Sequence, residues 1–275
     1  MTWSEAWPLR AWQSHQSLSL DGRSIQVAIH RRELERVHDP LVRELARRAA
    51  AVSGRFVVLL AGPPGSGKTT LSALWVLRAK QLGVPVSFQA LPMDGFHLPN
   101  AELEKRTART PDGEVVSLRR LKGSPESYDR ESLARLVARL HGTEPVRWPR
   151  YDRTIHDPVP GAIPVLDRGV VIVEGNFLLH EEAGIPSLRP LADVTVQVQC
   201  SRRFSRAAIL TRYRHSGRAR AEIVRHIREV DGPNWARAMS PDGAADVVVR
   251  VGRGRTLRVV RFPPGIDGQR ETRGL

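Results

Sequence analysis

Cysteine is almost missing from this chain: of 275 residues, only Cys200 carries a thiol. A single cysteine excludes an internal disulfide framework and a zinc site built from several thiolates, and it agrees with a reducing compartment. Cys200 itself, at the end of an apolar segment, reads as a small buried apolar residue. Long hydrophobic runs are lacking too, since no stretch approaches the ~18 residues that a membrane helix requires. The opening MTWSEAWPLR does not have the basic-then-apolar layout of a secretory signal. A cytoplasmic protein with no membrane partner is the expectation. Lysine is scarce, with only 3 after position 68 (Lys80, Lys105 and Lys122), so the formal net charge of +14 is mostly arginine. Such a balance suits nucleic acid, an anionic membrane or a phosphorylated small molecule, and heavy arginine usage can also be plain genome composition. With 41% hydrophobic and 26% charged residues, the chain is otherwise an ordinary globular protein able to bury a sizeable core.

What is present is organised around FVVLLAGPPGSGKTT. The apolar run Phe56 to Ala61 reads as a strand, and the stretch from Thr70 to Leu82 is compatible with a helix. Between them lies Gly62-Pro63-Pro64-Gly65-Ser66-Gly67-Lys68-Thr69, which has the G-x-x-x-x-G-K-T spacing of a phosphate-binding loop in its required setting, with Thr70 next to it as a further candidate for nucleotide binding. Gly65 and Gly67 allow the backbone to turn sharply and keep side chains away from phosphates. The freed N–H groups at the helix start cradle an anion, aided by the helix dipole. Lys68 would reach the β- and γ-phosphates, and the Thr69 hydroxyl would hold Mg²⁺.

Other segments supply acids and polar groups. The run beginning Val84-Pro85-Val86 ends in LPMDGFHL, which sets Asp94 just past the C-terminal edge of a strand, where open α/β sheets hold ligands. There it could accept a proton from an attacking hydroxyl, hold a metal, or simply form an Asp-Gly turn. Gly169 to Asn176 (GVVIVEGN) reads as a central parallel strand covered on both faces. Glu174 at its end fits an acid ordering Mg²⁺ or its waters, with a structural ion pair as the alternative. Between these, residues 97–127 form a polar insertion too long for a passive connection, expected to cover a substrate. Asp129 caps a helix carrying Leu133, Leu136, Val137 and Leu140 on one face. PRYDRTIHDPVP then gathers an aromatic, two arginines, a histidine and carboxylates that can hydrogen-bond a polar substrate. DVTVQVQ reads as a strand. After it come an arginine-rich helix, a break at His215-Ser216-Gly217-Arg218, and a second helix from Ala219 to about Val230. That pair suits a lid closing over phosphates, while a solvated basic face or an RNA-binding patch is the alternative. Earlier in the chain, SIQVAIH is a short strand, and a helix is expected to start at Asp39-Pro40. Tryptophans at 3, 7 and 12 suit either a core cap or an interface, the latter fitting a homodimer.

These motifs, in this order, resemble the uridine kinase/phosphoribulokinase/pantothenate kinase group of P-loop kinases, above all its bacterial nucleoside/nucleotide kinase members. The resemblance spans about residues 40–260, through GPPGSGKTT, MDGFHLPN, KGSPESYD, PRYDRTIHDPVP, VIVEGNFLL, the arginine helix and VDGPNWARA. It implies Asp94 as general base, Glu174 near Mg²⁺, and Arg206 and Arg212 as lid residues acting with Lys68. It further implies substrate contacts at His97, Tyr151, Arg153, His156 and Asn234. The fold implied is an α/β P-loop NTPase three-layer sandwich with a central, mainly parallel sheet and an arginine-rich helical lid at about 201–230. The domain would span 39–261, with an N-terminal extension (1–38) that has no family counterpart and a loose tail (262–275).

The resulting expectation is an ATP- and Mg²⁺-dependent phosphotransferase acting on a hydroxyl of a small polar metabolite: a nucleoside, a pantothenate-like acid or a sugar. The substrate segment matches neither the uridine nor the pantothenate pattern throughout, and the arginines would allow an acceptor that is already phosphorylated. The alternative from another class is a nucleotide-gated regulatory protein whose basic surface meets nucleic acid, recognisable by strongly salt-dependent binding. The kinase reading needs no nucleic-acid partner.

Overall fold

In a computed structural model of the chain, the residues described are 13–20, 23–181, 187–214, 217, 219–239, 245–252 and 256–261. Trp3, Trp7 and Trp12, most of the expected lid break (His215, Ser216, Arg218) and the expected tail from 262 lie outside the described residues.

A hairpin comes first, β1 (Gln13–Leu20) and β2 (Arg23–His30). It leads into a helical run made of α1 (Arg31–Glu33), a wide π-type turn (Leu34–His38) and α2 (Asp39–Ala50). Then β3 (Arg55–Ala61) passes through the glycine-rich loop into α3 (Lys68–Gln81), and β4 (Phe88–Pro92) into a 3-10 turn at Met93–Phe96. The insertion holds α4 (Asn100–Lys105) and a small hairpin, β5 (Thr107–Arg109) with β6 (Val115–Ser117). After α5 (Arg130–Arg139) comes a larger hairpin, β7 (Arg147–Asp152) and β8 (Asp157–Pro164). Strands β9 (Gly169–Gly175) and β10 (Val194–Gln199) come next. The segment expected as a lid, about 201–230, holds α6 (Arg202–Tyr213), α7 (Arg220–His226) and most of a π-type turn (Ile227–Asp231), and α8 (Gly232–Ala238) follows it. Last are β11 (Val247–Val251) and β12 (Leu257–Arg261).

The main sheet has the order β12-β11-β10-β3-β9-β4. Every neighbouring pair is parallel except β11 with β12. The central strands β3 and β9 are buried along their whole length, as their uninterrupted apolar sequence requires of strands covered on both faces. Alternate residues of β3 feed two cores. Val57, Leu59 and Ala61 face α5 and the β7–β8 side, and Phe56, Val58 and Leu60 face α2 and α3. This is the expected three-layer sandwich, and Asp129 caps α5 by accepting from the Ser132 N–H at 2.9 Å.

The start of the chain departs from expectation. Helix does not begin at Asp39; it runs from Arg31 and passes through Pro40. In the widened turn the Asp39 N–H reaches back five residues to the Leu34 carbonyl, which takes up the clash a proline ring would make with an upstream carbonyl. Nor does position 38 mark a break in packing. Trp75 of α3, fully buried, donates its indole N–H to His38 Nδ1 at 3.2 Å. The proton of His38 therefore sits on Nε2, 3.1 Å from Glu33 Oε1. Arg78 forks onto Asp39 at 2.8 and 2.7 Å. The hairpin and its helix are thus clamped to the helix that follows the glycine-rich loop.

At the opposite end of the sheet, the Arg55 side chain is fully buried. It donates to the carbonyls of Leu166 (2.7 Å), Gly142 (2.8 Å) and Glu144 (3.0 Å), tying together the loops on either side of β7–β8. Arg55→Met would leave these carbonyls without their charged donor, and a loss of about 3 kcal/mol or more is expected in urea unfolding. A loss below about 1 kcal/mol would show that water replaces the guanidinium freely.

Candidate active site

Strand register brings the chemistry together. Leu60 of β3 pairs with Glu174 of β9, which pairs in turn with Pro92 of β4. The glycine-rich loop, Glu174 and the Asp94 turn therefore leave the sheet at one level, along its C-terminal edge. They share a cavity of about 1610 Å³ lined in part by Lys68, Thr69, Asp94 and Glu174.

The loop has the conformation its glycines permit. Gly65 and Gly67 sit at φ 73° and 91°, a region that a side chain would strain. A Cβ on Gly65 would also press within 2.8 Å of the Ser205 carbonyl on α6. Gly62 packs against Val198, and the Pro63 carbonyl accepts from Lys68 Nζ at 3.1 Å. The Pro64 carbonyl accepts from Ser205 Oγ at 2.6 Å, so α6 is fastened to the loop. Ser66 Oγ is buried with no protein partner, a donor available to an anion.

Lys68 is 7% exposed and also donates to Asn176 Oδ1 at 2.8 Å. Burial pushes its ammonium below the usual lysine range; the charges of Glu174 and Asp94 oppose that push and Arg212 adds to it. Thr69 Oγ1 donates to Glu174 Oε1 at 2.9 Å. A hydroxyl beside a carboxylate is a hard-oxygen donor set suited to Mg²⁺. Among the described residues no cluster of three or more His, Cys, Asp or Glu exists. A cation at Thr69 and Glu174 would then take its other ligands from water and phosphate, as Mg²⁺ commonly does.

Across the cavity, Asp94 keeps 41% of its side chain exposed, with Arg153 Nη2 at 3.6 Å and the Tyr128 hydroxyl at 3.5 Å. His97 donates from Nδ1 to the Asp94 carbonyl at 2.8 Å. Its ring lies 4.0 Å from that of Tyr128 and 5.0 Å from that of Tyr151. Burial lowers the His97 pKa, which keeps the imidazole neutral near pH 7. Lys122 lies over Tyr151, 4.9 Å from its centroid, and donates to Asn100 Oδ1 and the His156 carbonyl, both at 2.7 Å. His156 lies in the β7–β8 turn with φ 55° and an exposed side chain that borders the cavity. Asn234 donates to the Gly123 carbonyl at 2.7 Å, while its buried Oδ1 has no protein partner.

Most of the residues singled out in the sequence meet here. Thr70 and Arg212 line the cavity as well, whereas Arg206 is exposed and does not. Sequence reasoning missed Asn176, Tyr128, Lys122 and Ser205 as contributors. Asn176 follows Glu174 by two residues and could have been found from that spacing. Tyr128 and Lys122 lie in KGSPESYD, whose order matched while its contacts stayed unseen. Ser205 carried no local signal.

The profile of the "Phosphoribulokinase / Uridine kinase family" matches residues 57–257. The chain belongs to that family. As a phosphoribulokinase/uridine kinase family member it is a P-loop kinase. It is 32% identical over 235 residues to the uncharacterised protein YggC of Escherichia coli K12, covering 85% of this chain and 94% of that one. It is 38% identical over 155 residues to the pantothenate kinase of Leifsonia xyli, covering 56% of this chain and 44% of the relative, so it spans under half of that enzyme. A solved structure from Silicibacter sp. TM1040, described as a "putative fructose transport system kinase", matches with a TM-score of 0.64 and 30% identity. That match covers 75% of this chain and 98% of the other.

Lys122 yields a pH signature. Burial, reinforced by Arg119 and opposed by Asp157, lowers its pKa from an ordinary 10.5 to about 8. The folded chain sheds this proton before the unfolded chain does, so this group makes stability rise with pH between about 8 and 10.5. Urea midpoints across that window should climb relative to those of Lys122→Met, which lacks the titration. Parallel profiles would contradict the assignment.

Proposed function

We propose that the chain transfers the γ-phosphoryl group of ATP to a hydroxyl of a small polar metabolite, such as a nucleoside, a pantothenate-like acid or a sugar. The observation that carries this reading is the register-set meeting of Lys68, Thr69, Glu174 and Asp94 in one cavity. The loop N–H groups, Ser66 Oγ and Lys68 hold the triphosphate, and Lys68 exchanges its contact with Asn176 for phosphate oxygen. Thr69 and Glu174 would hold Mg²⁺, which when bound offsets charge on the phosphates.

Asp94 accepts the proton of the acceptor hydroxyl. The new O–P bond forms at the γ-phosphorus as its bond to the β-bridging oxygen breaks, and ADP leaves. Arg153 steadies the Asp94 carboxylate. Tyr128, His97 and Tyr151 form an aromatic wall on which the acceptor rests, and Asn234 Oδ1 is free to accept from one of its polar hydrogens. Arg212 faces the transferring group from the lid. Arg206 joins it only if the lid turns further inward than its arrangement here.

ATP consumption measured against nucleosides, pantothenate-like acids, sugars and glycerate should single out one class. Asp94→Asn should keep ATP affinity within about twofold and lower kcat by about 10²–10⁴ with that acceptor. Unchanged turnover would remove Asp94 from the base role. Lys68→Ala should weaken both ATP binding and rate, and an unaffected enzyme would refute the phosphate-loop assignment.

A further inference from the structure

We propose that the N-terminal β1–β2 hairpin walls the subsite for the base of the bound nucleotide; this rests on the ATP-site reading above. The cavity does not stop at the phosphate loop. It continues along α3 past Thr70 to Leu71 and Leu74, and there the six successive residues from Ile25 to His30 border it. Val251, Thr256 and Leu257, at the junction of β11 and β12, face the same space.

Sheet order decides what this chamber can hold. Asp94 follows β4, on one side of β3, whereas β10, β11 and β12 lie on the other. A γ-phosphate turned toward Asp94 sends the nucleoside the opposite way, toward β11 and β12, where the chamber opens. Leu74 is six residues beyond Lys68, roughly 9 Å along the helix, within the reach of a nucleoside whose phosphates sit at the helix start.

The chamber's chemistry suits a flat heteroaromatic ring. The half-buried Ile25, Val27, Val251 and Leu257 supply apolar surface, and a strand edge supplies polarity. Residues 25–30 include both faces of β2, and no β1 residue lines the cavity, so β2 borders it edge-on. β1 occupies one edge of β2, and among the described residues no strand pairs with the other. A free strand edge presents N–H and C=O groups in alternation, the pattern that reads the rim of a base. The hairpin is also fixed in place. Leu18, Ile29 and Leu34 pack together with Leu74 of α3, and Gln81 donates to Gln16 Oε1 at 3.0 Å. All of it precedes residue 57, where the family match begins. The profile of the family therefore does not include this wall of the donor site.

The test is calorimetric titration of the full chain with ATP and, separately, with inorganic tripolyphosphate, which has no base. Ala28→Trp places an indole in the chamber from an exposed position. It should weaken ATP at least about tenfold while tripolyphosphate stays within about twofold. Ser17→Trp, exposed on β1 and away from the cavity, should change neither. ATP affinity within about twofold in Ala28→Trp, or equal loss of both ligands, overturns the proposal. Should Ala28→Trp lose its cooperative melt, Ala28→Leu is judged by the same two criteria. A wild-type chain that binds neither ligand refutes the ATP-site reading instead.

Discussion

The level alignment of three parallel strand ends is the constraint on which everything else depends. With Leu60, Glu174 and Pro92 in one row, the chain can emit a phosphate-binding loop, a carboxylate and a second carboxylate-bearing turn without any long-range search. A slip of one residue in β9 would turn Glu174 to the opposite face of the sheet. Such a slip is resisted because β3 and β9 are buried on both faces, where each methyl group has an assigned neighbour.

The second constraint is electrostatic. A buried ammonium is costly, and at Lys68 two carboxylates and two oxygen acceptors, rather than solvent, oppose that cost. Asn176 holds the lysine by a neutral contact at 2.8 Å, which on the proposed reading a charged phosphate oxygen would outcompete.

Much of this was legible in the chain. The fold followed from the strand–loop–helix around Lys68 and from the unbroken apolar run ending at Glu174, because a strand covered on both faces is built mostly of apolar residues. The acids at 94 and 174 were legible for a related reason, since each interrupts such a run at the sheet edge. What stayed hidden depends on contacts between distant segments. The helix start at Arg31 was obscured by Pro40, whose usual meaning is overridden by one wide turn. Tyr128 and Lys122 take their roles from rings and carbonyls of the β7–β8 hairpin, far off in sequence. Arg206 shares a helix with Arg212, but six residues on an α-helix amount to more than one and a half turns, so proximity in sequence did not put it on the same face.

The bond from Ser205 to the Pro64 carbonyl makes the phosphate loop the fulcrum of α6. Arg212 lies seven residues out along that lever, roughly 10 Å away. A tilt of only about 6° at the fulcrum then sweeps its guanidinium through about 1 Å, an error large enough to cost a catalyst some hundredfold. On the proposed reading, any shift of the loop on filling would be carried through this one bond to the arginine, with no separate messenger.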